Sequence, residues 1–299
     1  GDVEYCKFRP YKPKHPKLGL GDLETYFVTV PTICNAADLY AQNGKQEVKI
    51  EFLFSAQEYP WQKVKPSSLF ALETDKKINL LTLEMLFADK LTTLGPNTIG
   101  VPAERADEQF KQIYDVITLF SSNMDQIIDN KEFVRASYIK AAEFECQIHG
   151  ISYDPDVLFA DMQQLIRQVQ NIENDDELLQ RANDFQSLYL RNSVRRDKAQ
   201  WAIAGYHLEL LANYVFLDDN KIKRFREMQN LIDELNFGAI YGPERGKKIR
   251  DVREALKRKF AGVDRLSTEL FNKRNDRIIW ELFTVISFEE IADALHELI

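Results

Sequence analysis

At Leu81 the spacing of apolar residues changes from about two to about 3.6 and does not change back. Before that point, residues 25–30 (TYFVTV) and 47–55 (EVKIEFLFS) are dense in β-branched and aromatic side chains, with shorter strand candidates at 69–72 and 77–81. Asn43-Gly44, Pro60 and Pro66-Ser67-Ser68 mark the loops between them, and the basic run from Lys7 to Lys17 reads as an extended arm. After Leu81 the pattern predicts helices near 83–94, 106–121, 131–148, 155–171, 175–190, 197–217, 219–237, 246–261, 263–282 and 287–298. Ser287 with Glu290 forms a capping box for the last of these. A chain that places its strands first and its helices afterwards segregates the two. The expected class is therefore α+β, with a small mixed β-sheet unit over 1–125 and a large α-helical bundle over 126–299.

The first helix after the switch carries a charge in an unusual place. Leu83, Leu86, Phe87, Leu91 and Leu94 form its apolar stripe, and Lys90 falls on the same stripe, seven residues after Leu83. Thr82 is suited to cap its start, and Gly95 with Pro96 predicts a left-handed stop. An ammonium group withdrawn from water costs several kcal/mol, roughly, so Lys90 either snorkels to solvent or meets a carboxylate or phosphate.

Charge is unevenly distributed. The net charge is -8, yet the stretch from Arg191 to Arg277 holds 20 Lys and Arg against 13 Asp and Glu. Its runs Arg195-Arg196, Lys221 to Arg226 and Lys247 to Lys259 are arranged either as solvated helix faces or as a surface for a polyanion. Gly242 to Lys248 (GPERGKK) hints at a phosphate-binding turn before a helix, although it lacks P-loop spacing. Cys6, Cys34 and Cys146 lie far apart, which argues against a zinc site and for a reducing, cytoplasmic setting. The four histidines show no metal-ligand spacing. The most apolar long segment, Trp201 to Leu217, is interrupted by His207, Glu209 and Asn213, so it reads as a bundle helix and not a bilayer span.

Two further segments offer chemistry. In the strand VKIEFLF, alternation puts Lys49 and Glu51 on one face. In the helix starting near Asp107, Phe110, Ile113, Tyr114 and Ile117 form the core stripe, with Lys111 and Asp115 beside it at ion-pair spacing and Arg105 just ahead. In order, the chain reads Lys49-Ile50-Glu51, then Glu84 to Leu94 with Ala88 and Lys90, then Arg105, Lys111, Tyr114 and Asp115.

This order resembles the nucleotidyltransferase family of AbiEii and AbiGii toxins, a branch of the polymerase β-like superfold that also includes the MenT toxins. The resemblance covers roughly residues 25–120. It implies that the unit over 1–125 is nucleotidyltransferase-like, using NTP and Mg²⁺ to modify an RNA or protein acceptor, with a cognate antitoxin as partner and the basic helical half holding the RNA. It also implies a metal-supporting role for Glu51, phosphate contact for Lys90, and a shared cleft lined by Lys49, Arg105, Lys111 and Asp115, with Glu51, Lys90 and Asp115 as the catalytic set. The family places a Gly-Ser or Gly-Gly turn and an acid pair upstream of the strand acid. The nearest match is Asp22 with Glu24, but residues 9–13 (RPYKP) offer no glycine turn. Two expectations follow from that departure: the motif lies upstream of Gly1, or the chain is a non-catalytic relative that acts by binding a partner.

Overall fold

A computed structural model describes residues 7–11, 23–29, 47–53, 58–65, 76–235, 237, 241–264, 266 and 269–299. Contacts divide the chain into two units, Gly1–Leu80 with Gln147–Ile151 and Leu81–Cys146 with Ser152–Ile299.

In the first unit, β1 (Lys7–Tyr11), β2 (Leu23–Thr29) and β3 (Glu47–Leu53) form a sheet in that order, and both of its strand pairs are antiparallel. These pairs contain no parallel neighbours of the kind a mixed sheet would need. The start of the arm, Lys7 to Tyr11, is thus a paired strand. Thr25 lies opposite Glu51 and Phe27 opposite Lys49, so alternation puts all four on one face. A second ladder joins β4 (Trp61–Val64) to β5 (Ile78–Leu81). The strand candidate at 69–72 lies outside the described residues.

The second unit holds α1 (Leu83–Thr92), α2 (Ala106–Ser122), α3 (Met124–Asp129), α4 (Lys131–His149) up to Cys146, α5 (Pro155–Gln170) and α6 (Asp176–Tyr189). It continues with α7 (Lys198–Leu217), α8 (Phe225–Leu235), α9 (Gly242–Phe260), α10 (Asn275–Val285) and α11 (Phe288–Leu295). Strands first and helices afterwards is the expected α+β arrangement. Helix α7 is apolar all round and buries Trp201, Leu208, Leu211 and Tyr214, as a helix at the centre of a bundle must. Among the described residues no helix is long and apolar enough to cross a membrane. The capping box of Ser287 and Glu290 starts α11.

The boundary expected after residue 125 lies within α3, and α1 and α2 bury Phe87, Leu91, Phe110 and Ile113 in the same core as Trp201 and Leu165. Two sequence expectations are corrected here. The helix expected over 263–282 begins only at Asn275, where Arg274 binds Asp276 and Asp197 and the Asn275 amide donates to the Ile249 carbonyl at 2.9 Å. Helix α1 stops at Thr92 without a left-handed glycine; the Thr92 and Thr93 hydroxyls donate instead to the carbonyls of Asp89 and Lys90 at 2.6 Å each. Gly95 serves another purpose, since a Cβ there would stand 2.7 Å from the Thr98 hydroxyl and 3.1 Å from Asp161.

Gly205 is where α7 meets the end of α5. A Cβ at this position would lie 2.8 Å from the backbone nitrogen of Gln170, which no rotamer change relieves. Gly205→Ala is expected to destabilise the chain by about 2 kcal/mol, measured by denaturant unfolding, because α5 must move away from α7.

His207 on the same helix is wedged between Phe225 and Trp280, with ring centroids 4.7 and 4.3 Å away. Its Nε2 is buried without a partner among the described residues, and burial, aided by the Arg196 charge, pushes the imidazole pKa down to about 3. The unfolded imidazole titrates near 6.5 and so binds more protons than the folded one between about pH 3 and 6.5. Stability therefore falls as pH drops through that window. His207→Leu is expected to reduce the slope of unfolding free energy there by up to about 1.4 kcal/mol per pH unit, read from melts across the pH series.

Candidate functional site

The site on the helical unit is built by α1 crossing α2. Thr82 caps α1 by accepting from the Met85 amide at 3.3 Å, which fixes the helix's register from its first turn. The buried face runs through Glu84, Met85, Phe87, Ala88 and Leu91, while Leu83 and Leu86 are only partly covered. Lys90 consequently stands at the margin of the buried face, with 23% of its side-chain surface exposed. The opposing face of α2 buries Phe110, Ile113, Val116 and Ile117, and presents Lys111, Gln112 and Asp115 along its flank.

These flanks meet. The Lys90 ammonium donates to Gln112 Oε1 at 2.9 Å and pairs with Asp115 Oδ2 at 3.2 Å, while Lys111 reaches the same Asp115 oxygen at 3.0 Å. Two ammonium groups thus share one carboxylate oxygen. One positive charge of the cluster is unmatched within it, at a place where protein covers part of each group and weakens solvent screening. Beside it, the half-buried Asp89 carboxyl is pushed above the usual range by burial, against the opposing pull of Lys90.

Two anchors hold this crossing. Asp161 on α5 accepts from the Asn97 backbone at 2.9 Å, the Asn97 amide at 2.6 Å and the Thr98 hydroxyl at 2.8 Å, which pins the connection between α1 and α2. Glu84, 7% exposed, accepts from Gln126 at 2.9 Å and Asn130 at 3.0 Å, tying α1 to the segment around α3. Of the residues expected at the site, Lys90, Lys111 and Asp115 are brought together. Arg105, at the start of α2, pairs with Glu108. Gln112 and the anchors Asp161 and Glu84 carry no assigned role in the sequence pattern, because their partners lie on other helices.

Glu51 and Lys49 are described within the sheet unit alone. They pair at 2.8 Å on β3, and the Thr25 hydroxyl donates to Glu51 at 3.3 Å. Glu24 takes the register position opposite Phe52, one step from the Thr25 and Glu51 pair, and Asp22 lies outside the described residues. Among the described residues no group of three or more His, Cys, Asp or Glu side chains is placed to hold a metal. Glu51 is a single carboxylate already engaged by an ammonium, and this set does not by itself meet the oxygen-rich coordination that Mg²⁺ takes.

Part of the basic stretch is neutralised by ion pairs. Arg226 pairs with Asp125, Arg224 with Glu227 and Glu289, Lys221 with Asp219, Lys259 with Asp293, and Arg274 with Asp197 and Asp276. Arg196 is covered by the rings of Tyr114 and Trp201 at 5.5 and 5.3 Å. Arg245, Lys247, Lys248, Arg250, Lys257 and Arg258, all on α9, enter none of these ion pairs. Arg191, Arg195, Lys198 and Lys223 enter none of them either, and α9 keeps an excess of positive charge although Glu244, Asp251 and Glu254 share it.

Comparison with known protein families gives a match over two thirds of the chain. The family described as Nucleotidyl transferase AbiEii toxin, Type IV TA system, matches residues 4–203, a span that contains the sheet unit's strands and the whole Lys90, Lys111 and Asp115 cluster. No curated protein and no solved structure matches the chain.

Proposed function

The chain belongs to the AbiEii nucleotidyltransferase toxin family, and from that membership we propose that it transfers a nucleotide from an NTP to an RNA or protein acceptor. The observation that carries this reading is the convergence of Lys90 and Lys111 on a single oxygen of Asp115. A triphosphate offers both ammonium groups several anionic oxygens in place of one, and phosphoryl transfer asks chiefly for such charge and positioning. Asp115 keeps the two cations together until the nucleotide arrives, and Lys90, the less exposed of them, holds the reacting phosphates. Arg105 supplies a further cation from the start of α2.

On the sheet unit, Glu51 is proposed as the metal-supporting carboxylate and Lys49 as its phosphate-facing neighbour, roles supported by family resemblance and by their pairing on β3. Magnesium is expected with the nucleotide on that resemblance alone. A cognate antitoxin is the protein partner that the family suggests. The buried, unbridged thiol of Cys146 supports a cytoplasmic setting. The positively charged helix α9 is the proposed seat of an RNA acceptor, and affinity for RNA there is expected to fall steeply as salt rises.

The test is incubation of the chain with labelled NTPs, Mg²⁺ and total RNA. Label appearing in RNA or in protein is the expected result. Absence of label from both, with all four nucleotides, would overturn the proposal.

A further inference from the structure

A cavity of about 380 Å³ opens on the helical unit between α9 and the first turn of α10, and it lies outside the Lys90 cluster. Arg245 and Arg253 line it from α9, eight residues apart and so on one face, while Arg274, Asn275 and Asp276 line it from α10 and Phe237 closes its apolar side. Asp276 is already gripped by Arg274 through two bonds of 2.7 Å. The other two guanidiniums have spare capacity. Arg245 is exposed and makes no ion pair among the described residues, and Arg253 spends one amine on the Lys273 carbonyl at 3.0 Å while its Nε is buried without a partner.

The lining narrows the choice of ligand. Asn275 is 3% exposed and its amide donates to the Ile249 carbonyl at 2.9 Å, which ties the start of α10 to α9 beside the cavity. The ligand must then combine an anion for Arg245 and Arg253 with a flat apolar face for Phe237. A nucleotide carries both, and a cavity of this size falls within the range of small-molecule sites.

We propose that this cavity binds one nucleotide, with its phosphate against Arg245 and Arg253 and its base against Phe237. The proposal rests on the acceptor half of the function given above and gives it a location. A unit of single-stranded RNA and a free mononucleotide present the same chemistry.

The test measures binding of adenosine monophosphate, a single-stranded oligoribonucleotide and inorganic phosphate by calorimetry and fluorescence anisotropy. The intact chain carries Lys90→Ala throughout, so that the other cluster does not contribute. Arg245→Ala removes an exposed cation, and Phe237→Leu removes the ring; thermal melts verify that both variants fold. Each substitution is expected to weaken binding of the mononucleotide and the RNA by about tenfold. If the mononucleotide shows these losses and the RNA does not bind at all, the cavity stands as a nucleotide site and the acceptor assignment to α9 falls. Mononucleotide affinity unchanged in both variants, or inorganic phosphate binding as tightly as the mononucleotide, would overturn the proposal.

Discussion

Lys90→Ala is expected to lower nucleotide transfer by about a hundredfold or more while costing no more than about 1 to 2 kcal/mol of stability. The two effects separate because Lys90 sits at the margin of the core. Its side chain keeps 23% of its surface, so truncation removes one hydrogen bond to Gln112 and one ion pair without opening a fully buried hole. Asp115 stays matched by Lys111 at 3.0 Å. What is lost is the less exposed cation, whose attraction for a phosphate is less screened than that of Lys111, which is 42% exposed. Lys111→Ala is accordingly expected to have the smaller effect on rate. Measured transfer rates, set beside thermal melts of the same preparations, decide the matter: a Lys90→Ala protein that melts normally and transfers at the wild-type rate removes this residue from the site.

The largest loss of stability is expected from Arg277→Ala, at about 3 to 5 kcal/mol. Arg277 is 5% exposed and pairs with Glu173, itself 9% exposed, and its other amine lies 3.6 Å from Glu281 and 3.3 Å from the Tyr206 hydroxyl. Tyr206 also hydrogen bonds Glu281, and burial with that carboxylate beside it drives the phenol's pKa far upward. One guanidinium thus joins α10 to α7 and to the turn Ile172–Asn174 that follows α5. Its removal leaves Glu173 with Lys273 alone at 3.1 Å and strands Glu281 against a neutral phenol. For a chain of this size a loss of that order lowers the melting temperature by about 10 °C. Arg277→Met combined with Glu173→Gln is expected to cost less than the two single losses together, since no unpaired charge is then left inside. A melting temperature within about a degree of wild type for Arg277→Ala would contradict the network's role.

Some of this was legible before any coordinates. Helix α7 announces itself as a central helix because its apolar residues cover every face, and α11 because Ser287 and Glu290 complete each other's hydrogen bonds within four residues. Local rules reach that far. The strand at Trp61–Val64 escaped them because Trp61, Gln62 and Lys63 are exposed, leaving no alternation to read. The spacing of Leu83, Leu86, Phe87, Leu91 and Leu94 puts Lys90 on the apolar stripe, yet the buried face takes in Glu84, Met85 and Ala88 while Leu83 and Leu86 are only partly covered, which moves the lysine to its edge. Its need for an anion followed from desolvation alone, but Gln112 lies 22 residues away and meets it only because α1 and α2 cross at that point. Periodicity likewise shows that α1 and α2 have apolar faces, not which core receives them. Asn275 and Arg253 came together through packing of α9 on α10, which the sequence records only as two separate polar residues.

The central claim is that Lys90, Lys111 and Asp115 form the phosphate-binding site of a nucleotidyltransferase, and its most direct test is an equilibrium titration of each NTP against the wild-type chain and the Lys90→Ala variant. Saturable binding by wild type that weakens by roughly tenfold or more in Lys90→Ala is the predicted result. Equal affinity in the two proteins would contradict it.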